Sequence, residues 1–109
     1  MKIAIIGSRS IFSADIERYA SSADEIISGG AAGVDTLAAE YAKEHGLKLT
    51  VFLPNYERYE RAAPIIRNRE IVDYAEAVIA FWNGKSRGTL STIKYAQKKG
   101  VPIKIIICD

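Results

Sequence analysis

Apolar, β-branched runs alternate with segments of helical period four times along the chain, the pattern of a parallel sheet whose strands are joined by helical crossovers. The runs predict strands over Lys2–Ile6, Glu25–Ser28, Lys48–Leu53, Ala77–Phe81 and Ile103–Ile107. Between the second and third, Val34, Leu37, Ala38, Tyr41 and Ala42 repeat as one buried helical face, and Gly46 supplies a stop. His45 just before it reads as a C-terminal cap and not as a catalytic group. Thr89–Lys99 predicts a second such helix around Ile93 and Ala96, with Lys98 and Lys99 complementing its dipole and Gly100 ending it. Ser13 is the expected cap of a first helix, ahead of Asp15 and Glu17, and a further helix is expected from Pro64 to Tyr74 with the proline in its first turn. Right-handed crossovers leave few topologies, and the strand order 3-2-1-4-5 puts two helices on each face of a five-stranded parallel sheet, a three-layer α/β fold.

With 109 residues, the chain is expected to form one domain over 1–109. Lys plus Arg total 15 against 13 Asp plus Glu, and the resulting net charge of +2 gives duplex nucleic acid no general attraction, so any such role needs a local patch. Cys108 is the only cysteine, which excludes an internal disulfide framework and a cysteine-rich zinc site and suits a reducing, cytoplasmic compartment. Neither a metal nor a tightly held cofactor is expected. The apolar run after Lys2 is too short for a secretory leader, and the apolar stretches are strand-sized, so no membrane contact is expected. A domain this small buries only about 60–65% of its unfolded surface, so self-association through its apolar helix faces is expected to help it. The connection Pro54–Ala63 is the only one long enough to act as a flap.

In such sheets the carboxyl ends of the strands open onto one edge, so loops far apart in sequence converge there. Those loops read Gly7-Ser8-Arg9-Ser10, then Ser28-Gly29-Gly30-Ala31-Ala32-Gly33-Val34-Asp35, then Trp82-Asn83-Gly84-Lys85-Ser86-Arg87-Gly88-Thr89. Each joins a strand end to a helix start and carries glycine, which lets backbone N–H groups approach an anion favoured by the helix dipole. Arg9 and Arg87 follow two of these turns and could grip phosphate through paired hydrogen bonds. Ser8, Ser86, Thr89 and Thr92 are either helix caps or ligand contacts. Asp35, in the first turn of its helix, could accept from a ribose hydroxyl or simply stabilise that helix. Arg67, Asn68, Arg69 and Glu70 form a polar cluster with Arg67 and Glu70 at neighbouring surface positions, yet the flanking Ile65, Ile66, Ile71 and Val72 imply that at least one of these side chains points along the sheet edge. Trp82 either belongs to the core or stacks on a base, and Tyr56 and Tyr59 are the better stacking candidates. Gly84-Lys85-Ser86 is no P-loop, because Ile79 stands where the earlier glycine is required, and the first turn lacks the G-x-G-x-x-G dinucleotide pattern.

These residues together resemble the small, single-domain members of the SLOG superfamily, the Rossmann-like group that includes the DNA-processing protein DprA (Smf) and the Lonely Guy nucleoside-monophosphate phosphoribohydrolases. The resemblance covers nearly the whole chain and is carried by Gly7-Ser8-Arg9, Ser28-Gly29-Gly30-Ala31 with Gly33 and Asp35, Arg67-Asn68, and Phe81-Trp82 with Gly84, Ser86, Gly88 and Thr89. It implies a Rossmann-like fold with a nucleotide-type ligand pocket. The phosphoribohydrolase branch carries Gly-Gly-x-Gly-Thr-x-x-Glu after its fourth strand, whereas this chain has Lys85-Ser86-Arg87-Gly88-Thr89-Leu90-Ser91-Thr92, with Thr92 in place of the catalytic glutamate. A hydroxyl cannot replace a carboxylate in stabilising an oxocarbenium-like centre or positioning water. Tyr56 stands where similar small members tend to have Trp, and Glu60 and Pro64 where they tend to have Gly.

The expectation is therefore a binding or sensor domain for a nucleotide or nucleotide-derived ligand. Phosphate contacts are expected from the backbone of Gly29–Gly33 and Gly84–Thr89 with Arg9 and Arg87, and ribose or phosphate contacts from Asp35, Arg67 and Asn68. The alternatives are an enzyme cleaving an N-glycosidic bond in a nucleotide through Glu70 or Asp35, and a single-stranded nucleic-acid module using Arg67, Arg69 and the tyrosines.

Overall fold

The computed structural model describes residues 1–108; the expected domain reaches Asp109, which lies outside the described residues. The strands are β1 (Lys2–Gly7), β2 (Glu25–Ser28), β3 (Lys48–Val51), β4 (Ala77–Trp82) and β5 (Ile103–Ile107), all paired in parallel in the order β3-β2-β1-β4-β5. The helices are α1 (Ile16–Ala20), α2 (Val34–Glu44), α3 (Tyr56–Tyr59), α4 (Ala63–Tyr74) and α5 (Arg87–Lys99). Side chains alternate across β1, so Ile3 and Ile5 pack with Ile16 and Ala20 of α1 and Val34, Ala38 and Ala42 of α2. Ala4 and Ile6 face the other way, onto Ile71 and Val72 of α4 and Ile93 and Ala96 of α5. Two helices thus cover each face, as the periodicity predicts.

Local chemistry sets the element ends. The expected Ser13 cap is displaced: α1 begins two residues later, where the Asp15 side chain accepts the Arg18 N–H at 3.2 Å. β3 ends at Val51 and not at Leu53, because Pro54 has no N–H for the ladder and holds the preceding residue out of it. The Pro54–Ala63 connection is not an open flap. Asn55 caps α3 by accepting the Arg58 N–H, and a 3₁₀ turn over Glu60–Ala62 runs directly into α4. At the end of α2, the His45 N–H donates to the Tyr41 carbonyl at 3.1 Å and its ring stacks on Tyr41, the capping role expected of it. Ser86 caps α5 through the Thr89 N–H, and Gly100 closes it in a left-handed conformation.

The edges of the sheet are less protected than its centre. Leu49 and Val51 on β3 and Ile105 and Ile107 on β5 are exposed, whereas the apolar faces of the helices are buried against the sheet.

At the amino edge, opposite the loops discussed below, Glu25 is buried and accepts from the Thr50 and Tyr74 hydroxyls, each at 2.7 Å, with the Lys48 ammonium 3.8 Å away. The two hydroxyl donors, followed by Lys48 and Lys2, hold its carboxyl below the ordinary glutamate range. A depressed acid stabilises the fold above its unfolded value and ceases to do so as pH falls through its folded one. Urea denaturation of the wild type should therefore lose stability on acidification below the ordinary glutamate range more steeply than Glu25→Gln, the two converging at low pH; parallel curves would show that Glu25 carries no such linkage.

Candidate functional site

The pairing of Gly7 with Phe81 and of Ser28 with Val51 aligns the strand ends, so the loops after β1, β2 and β4 do converge at the carboxyl edge. They surround a cavity of about 440 Å³, within the roughly 300–1,000 Å³ of small-molecule sites. Gly7, Ser8, Arg9, Gly29, Ala31, Asp35, Arg67, Asn68, Ser86, Gly88 and Thr89 line it. Gly30 lines a smaller neighbouring cavity.

Arg67 organises the site. Ala63, Arg67 and Ile71 are buried at four-residue spacing on one face of α4, so the guanidinium occupies a core-facing position of the helix. The expectation that Arg67 and Glu70 share the surface is corrected: Arg67 is 7% exposed, and Glu70 lies on the exposed side and does not line the cavity. The Arg67 Nη1 donates to the carbonyl oxygens of Gly29 and, at 3.4 Å, of Phe52, and Nε donates to Asn68 Oδ1 at 2.7 Å. One side chain thus ties α4 to the β2–α2 turn and to the end of β3. Burial pulls the guanidinium below the ordinary arginine range; the Asp35 carboxylate and the Tyr56 phenol oppose that pull, while Arg9 adds to it.

Gly29 lacks a Cβ for a steric reason. A Cβ there would lie 2.7 Å from Arg67 Nη1 and 3.0 Å from Asp35 Oδ2. The Asp35 carboxylate accepts the Ala31 N–H at 3.0 Å, and the Gly30 N–H donates to Ser28 Oγ at 3.3 Å. The expected bare-amide cradle is therefore corrected at Gly29, Gly30 and Ala31, where the protein's own Asp35 and Ser28 already accept from the turn. Desolvation moves the Asp35 carboxyl above the ordinary aspartate range, and the Ala31 amide, Arg67, the Gly29 amide and Arg9 work against that rise.

Four other expected contacts, Gly33, Trp82, Gly84 and Arg87, line neither cavity. Gly33 is buried with φ at +72°, and a Cβ would lie 2.4 Å from the Arg9 carbonyl oxygen, so it packs one turn onto another. Trp82 packs on the α4–α5 side, and its indole N–H donates to the Ser86 carbonyl at 3.0 Å. Arg87 is exposed. Gly84, likewise outside the cavities, forms an exposed turn at φ +78°.

The β4–α5 loop is also largely self-satisfied. Asn83 Oδ1 accepts the N–H groups of Lys85 and Ser86 at 2.8 and 2.9 Å, and the Asn83 N–H donates to Ser8 Oγ at 3.3 Å. Its Nδ2 lies 3.3 Å from Ser10 Oγ, so Asn83 joins the first and last loops of the site. Asn83, Ser10, Pro64 and Ile71 line the cavity without having been singled out from the sequence; the Asn-Gly pair at 83–84 was the available signal. Thr92 also lines it, buried, with its hydroxyl donating to the Gly88 carbonyl at 2.9 Å. Among the described residues the cavity therefore offers two guanidiniums, several hydroxyls and one carboxylate, Asp35, itself held by backbone. Arg9 is exposed and makes no side-chain hydrogen bond or ion pair among the described residues, which leaves its charge free for a ligand.

A parallel five-stranded sheet with a polar, arginine-containing cleft at its carboxyl edge places the chain among Rossmann-like α/β proteins. Residues 1–59 match the family model described as YAcAr, the YspA, cpYpsA-related SLOG family, and the chain belongs to that family. It is also similar to the Gene 61 protein of Mycobacterium phage D29, with 33% identity over 84 residues that cover 72% of this chain and 67% of that protein. The fold is similar to that of DNA processing protein A (DprA) from Streptococcus pneumoniae, seen by X-ray, with a TM-score of 0.75 at 20% identity. That likeness covers 99% of this chain and 50% of the DprA chain, so this chain spans half the length of that relative.

Arg67→Lys keeps the charge but cannot reproduce the planar fork that reaches two carbonyls and Asn68. It should cost about 1.5–3 kcal/mol in chemical denaturation, the range for hydrogen bonds to charged groups. A loss within the roughly 0.5 kcal/mol of ordinary surface substitutions would contradict the buried tie.

Proposed function

We propose that this protein binds a nucleotide or nucleotide-derived small molecule at the carboxyl edge of its sheet. The observation that carries this reading is the convergence of Arg9 and Arg67 on one hydroxyl-lined cavity whose only lining carboxylate among the described residues, Asp35, is already engaged by the adjacent turn. Arg9 grips the phosphate, and Ser10, Ser86 and Gly88 stand beside it. Arg67 and Asn68 shape the wall against which the sugar rests. Membership of the SLOG family and the likeness to DprA agree with a nucleotide-related ligand.

The two other readings fare less well. Glycosidic cleavage needs a carboxylate free to act on the bond, yet Glu70 lies off the cavity, Thr92 is a hydroxyl, and Asp35 is turned into its own backbone. A single-strand track along α4 loses its main cation because Arg67 is buried, and Arg69 lies 5.4 Å from the ring centroid of Tyr95. No helix among the described residues is long and apolar enough to cross a membrane.

Arg9→Ala should weaken binding of AMP by about 1.5–3 kcal/mol in calorimetric titration, the range for a charge-assisted contact, whereas Arg87→Ala should leave it unchanged. Equal losses in the two variants, or none in Arg9→Ala, would overturn the assignment.

We further propose that the protein self-associates through its exposed edge strands, since the helix faces are already covered and Leu49, Val51, Ile105 and Ile107 are not. Sedimentation at micromolar concentration should show an oligomer that Ile107→Lys or Val51→Lys shifts toward monomer. Monomer alone in the wild type would refute this.

A further inference from the structure

The amino edge of the sheet holds a cavity of its own, about 280 Å³, that shares no residue with the two at the carboxyl edge. It opens where α1 ends: that helix is five residues long, and the chain after it passes Ser22 beside the amino ends of β1, β4 and β5. Ile3 and Ile79, buried in the core on the α1–α2 side, line it, with Met1, Ala77 and Pro102 around them. Among the described residues no carboxylate lines it, and its polar members are Tyr19, Ser22 and Lys104. Lys104 is the unusual one. Its register opposite Ile79 sets it on the face that α1 and α2 cover, where Ile106 of the same strand packs against the core. Its Nζ lies 5.5 Å from the Tyr19 ring centroid and makes no ion pair among the described residues. Other cations of this edge are engaged: Asp24 holds the N-terminal ammonium at 2.7 Å, and Lys2 lies 4.1 Å from the Tyr74 ring centroid.

An apolar floor with two hydroxyls and one uncommitted ammonium matches a molecule that has an apolar body and a single anionic head. The body leaves water against Ile3 and Ile79, while Lys104, Tyr19 and Ser22 meet the head. The volume lies at the lower bound of small-molecule sites, roughly 300 Å³, which limits the ligand to the size of a short fatty acid or a small aromatic acid. We propose that this cavity is a second ligand site, for a small carboxylic acid with an apolar body. Four strand steps separate Ile3 from Gly7, about 13 Å at the rise of a β-strand, so the site is filled independently of the cleft at the carboxyl edge. An inward-facing lysine on an edge strand also discourages strand pairing. That role alone needs no cavity and predicts no binding.

Octanoate and its uncharged counterpart octanol, titrated into the isotope-labelled wild type, Lys104→Met and Ser22→Trp, test this. In the wild type octanoate should shift the amides of Ser22, Ala77 and Lys104 saturably. Lys104→Met should weaken octanoate about fivefold, the worth of a partly solvated ion pair, and leave octanol unchanged. Ser22→Trp, which fills the cavity from its rim, should abolish binding of both. Both positions are exposed, so neither variant removes a core contact. The absence of saturable shifts at the amino edge of the wild type would overturn the site and leave Lys104 as a guard of the edge strand. Equal losses of octanoate and octanol in Lys104→Met, or no loss of either, would overturn the role of the ammonium. Octanoate shifts at Ser8–Ser10 in place of Ser22 and Ala77 would put the acid in the carboxyl-edge cleft and overturn the proposal.

Discussion

A single buried guanidinium sets the shape of the carboxyl edge. Arg67 projects from the core-facing side of α4 and is held by carbonyls of the β2–α2 turn and of the chain leaving β3. Burying that charge is costly, and the protein compensates with hydrogen bonds from three directions and a carboxylate nearby. Glycine at position 29 follows from it, because a side chain there would strike both the guanidinium and Asp35. The first wall of the cleft is therefore built before any ligand arrives.

The same constraint changes what the glycine-rich turn can do. Backbone amides at a strand-to-helix turn suit an external anion, but here Asp35 supplies the anion from within the chain. The turn becomes a floor tied by its own hydrogen bonds, and in the proposed reading attraction for phosphate falls to Arg9, which is exposed and uncommitted among the described residues. Asn83 and Ser8 then fasten the last loop to the first, so the cleft is closed on one side by hydrogen bonds and left open on the side of Tyr56. The site combines walls already tied by hydrogen bonds with one exposed cation at its mouth.

Much of this was legible in the sequence because hydrophobic periodicity reports burial directly. The five strands and their order, α2 and α5 all follow from it, as does the convergence of the glycine turns. What escaped depends on contacts between distant elements. Arg67 sits within a polar run, and only its four-residue spacing from Ala63 and Ile71 betrays that it points inward. The use of the Gly30 and Ala31 amides by Ser28 and Asp35 is invisible without coordinates, since the same glycines would serve an empty cradle or a filled one. Gly33 likewise marks a turn packed closely onto Arg9. The start of short α1 is not legible in the sequence, because Ser13 and Asp15 are equally good caps and only the packing of Ile16 decides between them.

The most direct test of a ligand-binding carboxyl edge is a map of backbone amide and arginine Nε–H resonances while AMP is titrated into the isotope-labelled protein. The account predicts perturbations concentrated at Ser8–Ser10, Gly88 and the Arg67 side chain, with the amino edge around Glu25 and Tyr74 unmoved. Perturbations confined to the amino edge or to β5, with the Arg9 and Arg67 signals unchanged at saturation, would contradict it.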